Sequence, residues 1–514
     1  MYNDKKRIIK DNSLPDSIRS MVRIYPSNQV NRLAYGGLPH LGNALWDTWS
    51  SLDIQKASEA YENYSLSTNL LIKGCKPPKL SKVRLGGGSP ARLKPFGNSI
   101  LGIKNALENK ILSDYPLASG DESHKLPIIK YFRDTYSKKI KVDNIIFTHS
   151  STQGFTLIME AILDYGDVIL MTSPNYGLFS FIPERVGGKV SLLELKEIDN
   201  WKINPADLKR SILNINKELR VNYDTNRSKY VFRRSDHPPK VVAFVNLNPH
   251  NPLGTVYGRK ERKLLETISN ICDESGVFVI DDLAYAGLEF NQDNKALPVC
   301  TLHKQFNNTI TLYTLSKSYG LAGLRSGMII ANEIVTSVIR DRIFQSFDSL
   351  SVLQSAAMSS SFTPDNQSYF SNITKEYFLR YLFIKAMVEG VRSLSDSEKN
   401  SLYNFIRKEN IAVKVDGIFE GIADTHIILP PKSGFFLLLD LTKLKGKVYK
   451  GLSIVDDKSL LQFLYTSGNI KALTGGAFYW PEKDHLVIRV TTALEYKDLI
   501  TSFMRLKASI QRLV

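Results

Sequence analysis

The chain predicts an α/β protein whose larger part is a mostly parallel sheet covered by helices, with a smaller α/β domain beside it. Between about Tyr115 and Leu350, apolar strands near Ile145, Val168, Val241, Val277 and Thr311 alternate with helical stretches, the pattern of strands joined by helical crossovers. Past Leu350 a further strand, Gly434–Asp440, stands among helical segments. A length of 514 residues is enough for a large core and two domains. The expected division is an N-terminal extension of unassigned role at 1–80, a large domain at 115–350, and a small domain combining 81–114 with 351–514.

In chain order, Leu33–Gly42 is turn-rich and Ala44–Tyr64 reads as helical, with Trp46 and Trp49 on a shared face. Those indoles are read either as core packing or as a substrate lid, and the segment does not resemble a helix-turn-helix unit. Ile145–Thr148 is a strand and Gly154–Ile162 an amphipathic helix. Between them His149–Gln153 supplies hydroxyls and amides that would meet an anion at the helix N-terminus, although a helix cap with no ligand reads the same way. Asp282 follows the apolar strand Val277–Ile280, so its carboxylate emerges at a strand C-terminus, where open α/β sheets place ligands. Thr225–Lys240 is polar and basic and reads as a loop insertion; Ser395–Thr425 reads as a second, partly helical one. Either could cover the active site. There are no internal repeats.

Lys317 lies between two apolar stretches, Thr311–Leu315 and Gly327–Ala331, which predict burial on both sides. A buried amine tends to shed its proton, and a neutral amine is what Schiff-base chemistry requires. Arg325 follows downstream as a fixed cation. Arg489 interrupts the β-branched strand Leu486–Thr491, a costly charge to bury unless an anion meets it, either a substrate or a structural salt-bridge partner.

The net charge of +16 is spread along the chain, so a solvated basic surface or attraction for acidic metabolites is a better reading than nucleic acid. No run of about eighteen apolar residues occurs, and Met1–Asn12 lacks the apolar core of a signal peptide, so a cytoplasmic protein with no membrane contact is expected. Cys75, Cys272 and Cys300 are too few and too scattered for a disulfide framework or a zinc site, and no metal is expected.

Three segments, Asn248–Gly254, Asp281–Tyr285 and Ser316–Arg325, resemble in order and spacing the signature of fold-type I pyridoxal-phosphate (PLP) enzymes of the class I/II aminotransferase family. The likeness runs from about Val83 to the C-terminus. It implies a PLP cofactor bound covalently by Lys317, which would also shuttle the proton between substrate and cofactor as general acid and base. Asp282 would pair with the protonated pyridine nitrogen and keep the ring an electron sink. Asp281 is the rival carboxylate, but Asp282 stands three residues before Tyr285, as the family pattern has it. Tyr285 and Asn251 would bond the ring's phenolic oxygen; on its own, Asn251 between two prolines reads as a turn residue.

The resemblance further assigns the phosphate to Ser150, Ser151, Thr152, Thr314, Ser316 and Arg325, with Ser150 standing where the family often has glycine. Tyr176, otherwise an ordinary core or loop aromatic, would stack on the ring. Tyr115 would reach the partner subunit's phosphate, which implies a homodimer. Arg489 would bind the substrate α-carboxylate bidentately, with Asn251 assisting and Gly88 leaving room. The implied activity is transfer of an amino group between an α-amino acid and a 2-oxo acid. Other PLP reactions on the same scaffold (decarboxylation, elimination or replacement, cyclisation, oxidation) are the alternative, and a PLP-binding regulator is a third. The motifs leave the identity of the amino acid open.

Overall fold

In the computed structural model, the structure describes residues 75–514 apart from 91–92, 110, 303–305, 410, 412–414 and 483. The readings for 33–64, with Trp46 and Trp49, therefore lie outside the described residues. A short strand β1 (Val83–Arg84) precedes a large sheet of β2 (Ile145–Thr148), β3 (Val168–Ser173), β4 (Lys189–Glu194), β5 (Val241–Leu247), β6 (Phe278–Asp282), β7 (Thr309–Thr314) and β8 (Gly327–Ile330). Its seven strands run in the order β2-β8-β7-β6-β5-β3-β4. Only β8 runs opposite to the other six strands of this sheet, so the sheet is mostly parallel, as expected.

Both β3 and β5 are buried at every residue, which is why they read as unbroken apolar runs rather than alternating ones. Successive side chains go to opposite faces. Ile146, Leu312 and Ile329 pack with Phe155 and Ile339 on one side, while Ile145, Phe147, Tyr313 and Met328 pack with Phe132 on the other. The covering helices include α1 (Glu122–Tyr136), α2 (Ser151–Ile162), α3 (Arg262–Glu274) and α4 (Glu333–Phe347). In α3 the buried face is Leu265, Ile268 and Cys272, at helical spacing.

The C-terminal part holds β9 (His426–Ile427), β10 (Phe436–Asp440), β11 (Ile470–Lys471), β12 (Leu473–Thr474) and β13 (Val487–Thr491). Four of these form an antiparallel sheet in the order β12-β13-β10-β9, while β11 pairs with β1 in parallel. Its core includes Leu437, Leu439, Ile488, Val490 and Phe503.

Among the described residues, neither insertion lines the cofactor pocket. At 225–240 the chain is clamped ahead of β3: the Asp164 carboxylate accepts the backbone N–H groups of Arg234 and Ser235, and Arg233 donates to Asp167 at 2.8 Å with both side chains buried. That is the N-terminal end of the strand, away from the C-terminal ends where Asp282 emerges. From 395 to 425, Leu402, Ile406, Phe419 and Ile422 join the core beside the four-stranded sheet. No helix among the described residues is long and apolar enough to cross a membrane.

Candidate active site

Five strand ends converge on one pocket. The turn after β2 brings Ser150, Ser151 and Thr152; the one after β3 brings Tyr176; the one after β5 brings Asn251; β6 ends in Asp282, with Tyr285 just beyond; and β7 delivers Thr314, Ser316 and Lys317. Arg325 lines the same pocket. Arg489 and Gly88 join from outside the lining. Lys317 Nζ donates to the Gly88 carbonyl at 2.6 Å, and Arg489 Nη1 donates to Asn251 Oδ1 at 2.9 Å. Tyr115 is not brought in. It is 89% exposed, in a separate surface cavity with Leu117, Arg340 and Phe344.

The two adjacent aspartates point to opposite faces of β6. Asp281 accepts from Asn246 Nδ2 at 2.7 Å and from the Val299 amide at 2.8 Å, on the face away from the pocket. Asp282 lines the pocket and accepts only the Ala284 amide, at 3.1 Å, among the described residues. Burial pushes its pKa up to about 7. The Lys317 amine is lowered to about 8, first by desolvation and then by the Arg489 and Arg325 charges, with Asp282 opposing. The expected neutral amine is thus accessible near neutral pH, and the cause is burial.

At the N-terminus of α2, Ser150 Oγ caps the helix by accepting the Gln153 amide at 3.5 Å. Thr314 Oγ1 lies 2.9 Å from Ser316 Oγ and donates to the Ser326 carbonyl. Ser150 has φ 154°, a conformation that glycine adopts without cost. Gly327 lets the neighbouring strand approach here, because a Cβ on it would sit 2.7 Å from the Ser150 carbonyl carbon. Ser150→Gly is therefore expected to raise unfolding free energy by about 1 kcal/mol, as relief of strain outweighs a cap loss of a few tenths. Equilibrium denaturation of the cofactor-free protein measures this, and equal or lower stability would show that the backbone is unstrained.

Arg489 is 7% exposed on β13, its guanidinium carbon 3.9 Å from the centre of the Phe436 ring, within cation–π range. Nη2 donates to the Gly86 carbonyl at 3.1 Å. A Cβ on Gly88 would lie 3.8 Å from Nη2, so a side chain there would occupy the space in front of the guanidinium. Phe436 and Gly86 were not foreseen. Arg489 pairs with Leu438 across the sheet, which puts Phe436, two residues away, on the same face. That relation appears only once the register is known.

A buried carboxylate with one open oxygen suits a protonated pyridine nitrogen, and the Tyr285 hydroxyl makes no hydrogen bond among the described residues. Backbone and hydroxyl donors at a helix N-terminus beside a cation suit a phosphate. The residues fit PLP. The family model for aminotransferase class I and II matches residues 83–502. A probable kynurenine–oxoglutarate transaminase of Saccharomyces cerevisiae is 24% identical over 291 residues, 54% of this chain and 59% of that protein. A probable aspartate/prephenate aminotransferase of Aquifex aeolicus is 24% identical over 377 residues, 73% of this chain and 77% of that one. The crystal structure of an aspartate aminotransferase from Rhizobium meliloti superposes with a TM-score of 0.67 at 17% identity, covering 92% of this chain and 98% of that one.

The chain belongs to the class I and II aminotransferase family, with the fold-type I architecture. It is a PLP-dependent aminotransferase.

Proposed function

We propose that the pocket transfers an amino group between an α-amino acid and a 2-oxo acid, with Lys317, Asp282 and Arg489 as its principal groups. The observation that carries this is the convergence of a depressed amine, a half-satisfied buried carboxylate and a buried guanidinium around one cleft. When bound, PLP supplies an electron sink for the charge left at the substrate Cα. Asp282 keeps the pyridine nitrogen protonated, while Tyr285 and Asn251 hold the phenolic oxygen. Ser150, Ser151, Thr152, Thr314, Ser316 and Arg325 hold the phosphate, and Tyr176 covers the ring face. Arg489 would hold the substrate α-carboxylate, and Lys317 Nζ would take the Cα proton as base and give it back as acid.

Amino acids offered with and without 2-oxo acids, with products identified by mass, test the reading. Paired amino and oxo products are expected. Release of CO2 or of a side-chain fragment without an oxo-acid requirement would replace transamination by another PLP reaction.

We also propose a cytoplasmic homodimer, with 81–114 and 351–514 forming the small domain and 115–350 the large one. Tyr115, Leu117 and Phe344 are exposed at 89%, 58% and 66% around one surface cavity, an apolar surface suited to a second copy. If Tyr115 serves the neighbour's phosphate, Tyr115→Phe and Lys317→Ala are each impaired. After subunit exchange their mixture regains up to about a quarter of wild-type activity, because each mixed dimer carries one native site. A fully active monomer, or exchange with no recovery, would place Tyr115 outside the active site.

A further inference from the structure

The hairpin that carries Arg489 touches the large sheet at a second place. Between β12 and β13, the turn Gly475–Phe478 and Tyr479 dock onto the segment around Tyr176. The Asn175 amide donates to the Phe478 carbonyl at 2.8 Å, and Ser173 Oγ donates to the Tyr479 carbonyl at 2.5 Å. Tyr479 Oη donates to Ser180 Oγ at 2.5 Å, which in turn donates to the Gly177 carbonyl at 2.7 Å. These bonds bracket Tyr176 on both sides. Asn175 and Ser180 are fully buried, and Tyr479 is 8% exposed.

The approach is too close for any side chain at Gly177, where a Cβ would sit 2.2 Å from the Ala477 carbonyl oxygen. The docking turn is itself held, since Asp457 Oδ2 accepts the Gly476 amide at 2.7 Å. Tyr479 takes φ 57°, and that left-handed turn aims both its carbonyl and its phenol at the same segment. A loop fixed by hydrogen bonds at both flanks loses fewer conformers when its aromatic ring meets a ligand.

We propose that Tyr479 is a positioning residue: through Ser180 it holds the Tyr176 segment, so that the ring platform is set only when the Arg489 hairpin is docked. This rests on the reading of Tyr176 as the aromatic covering the cofactor ring. The two strand systems then communicate through this hydroxyl pair and the Asn175 and Ser173 bonds as well as through Arg489–Asn251. Seating of the hairpin and seating of the platform become one event.

Tyr479→Phe removes only the hydroxyl, Ser180→Ala removes its acceptor together with the bond to the Gly177 carbonyl, and the double variant completes a cycle. PLP affinity for the cofactor-free protein is measured by absorbance titration, and exchange of the Asn175 amide is followed in the cofactor-free protein. Tyr479→Phe is expected to weaken PLP binding roughly three- to tenfold, the scale of one lost hydrogen bond, Ser180→Ala at least as much, and the double variant no more than Ser180→Ala alone. Exchange of the Asn175 amide should quicken in all three. Unchanged affinity with unchanged exchange, or losses that add, would overturn the proposal. If the wild-type protein takes up no PLP, the functional reading fails; faster Asn175 exchange in Tyr479→Phe would still support the latch, and unchanged exchange would sink it.

Discussion

Lys317→Ala is expected to cut kcat by at least about 10^2 to 10^4, the range for removing a positioned general acid–base, and more where the lost covalent link also slows exchange of substrate for lysine. Borohydride treatment of the wild-type protein should leave the cofactor attached to Lys317, as found by peptide mass, and the variant should carry none. The amine is held near a pKa of about 8, mainly by desolvation. Its neutral fraction therefore rises with pH, and coupling of PLP to cofactor-free protein should accelerate up to about pH 8 and then level off. Small amines added to the variant should restore part of the proton transfer, because the cavity left by the side chain admits them. An adduct mapping to another lysine would remove Lys317 from its role.

Arg489→Ala carries the second largest effect. Truncating one side of a buried, hydrogen-bonded charge pair costs about 2–5 kcal/mol, so kcat/KM should fall on the order of 10^2- to 10^3-fold. Arg489→Lys should lie between, since an ammonium keeps the charge but loses the planar fork. Binding of PLP itself should change less than kcat/KM, because Arg489 lies outside the lining of the cofactor pocket and reaches it only through Asn251. This separates loss of substrate binding from collapse of the site. Phe436 lies against the guanidinium, so Phe436→Leu should reproduce a small part of the loss. An unchanged kcat/KM in Arg489→Ala would leave Arg489 as a purely structural charge.

Asp282 was legible from the apolar strand before it and Lys317 from the apolar stretches on either side, whereas Tyr176, Asn251, Tyr285, Thr314, Ser316 and Arg325 were reached through the family resemblance. Two strands of the large sheet were not read as strands. Lys189–Glu194 is the edge strand, only partly buried and bounded by charge, and an edge strand lacks the continuous apolar run of its interior neighbours. Gly327–Ile330 was seen as an apolar stretch, but its antiparallel pairing on both sides depends on partners far away in the chain. Phe436 and Tyr479 were illegible for the same reason. Their relation to the site comes from cross-strand register and from docking between the two sheets, which no local pattern encodes. That the 225–240 segment could cover the site was left open by its sequence, and its direction answers it: its contacts are with Asp164 and Asp167, ahead of β3.

That clamp divides the protein by tolerance. Arg233 and Asp167 close a surface segment against the floor of the sheet, while the reacting groups occupy its roof. Peptide tags, fluorophores or whole reporter domains spliced at the exposed Arg227–Ser228 would hang from the floor, clear of substrate traffic and ahead of the buried Tyr230. For anyone immobilising or labelling the enzyme, that underside is the natural handle.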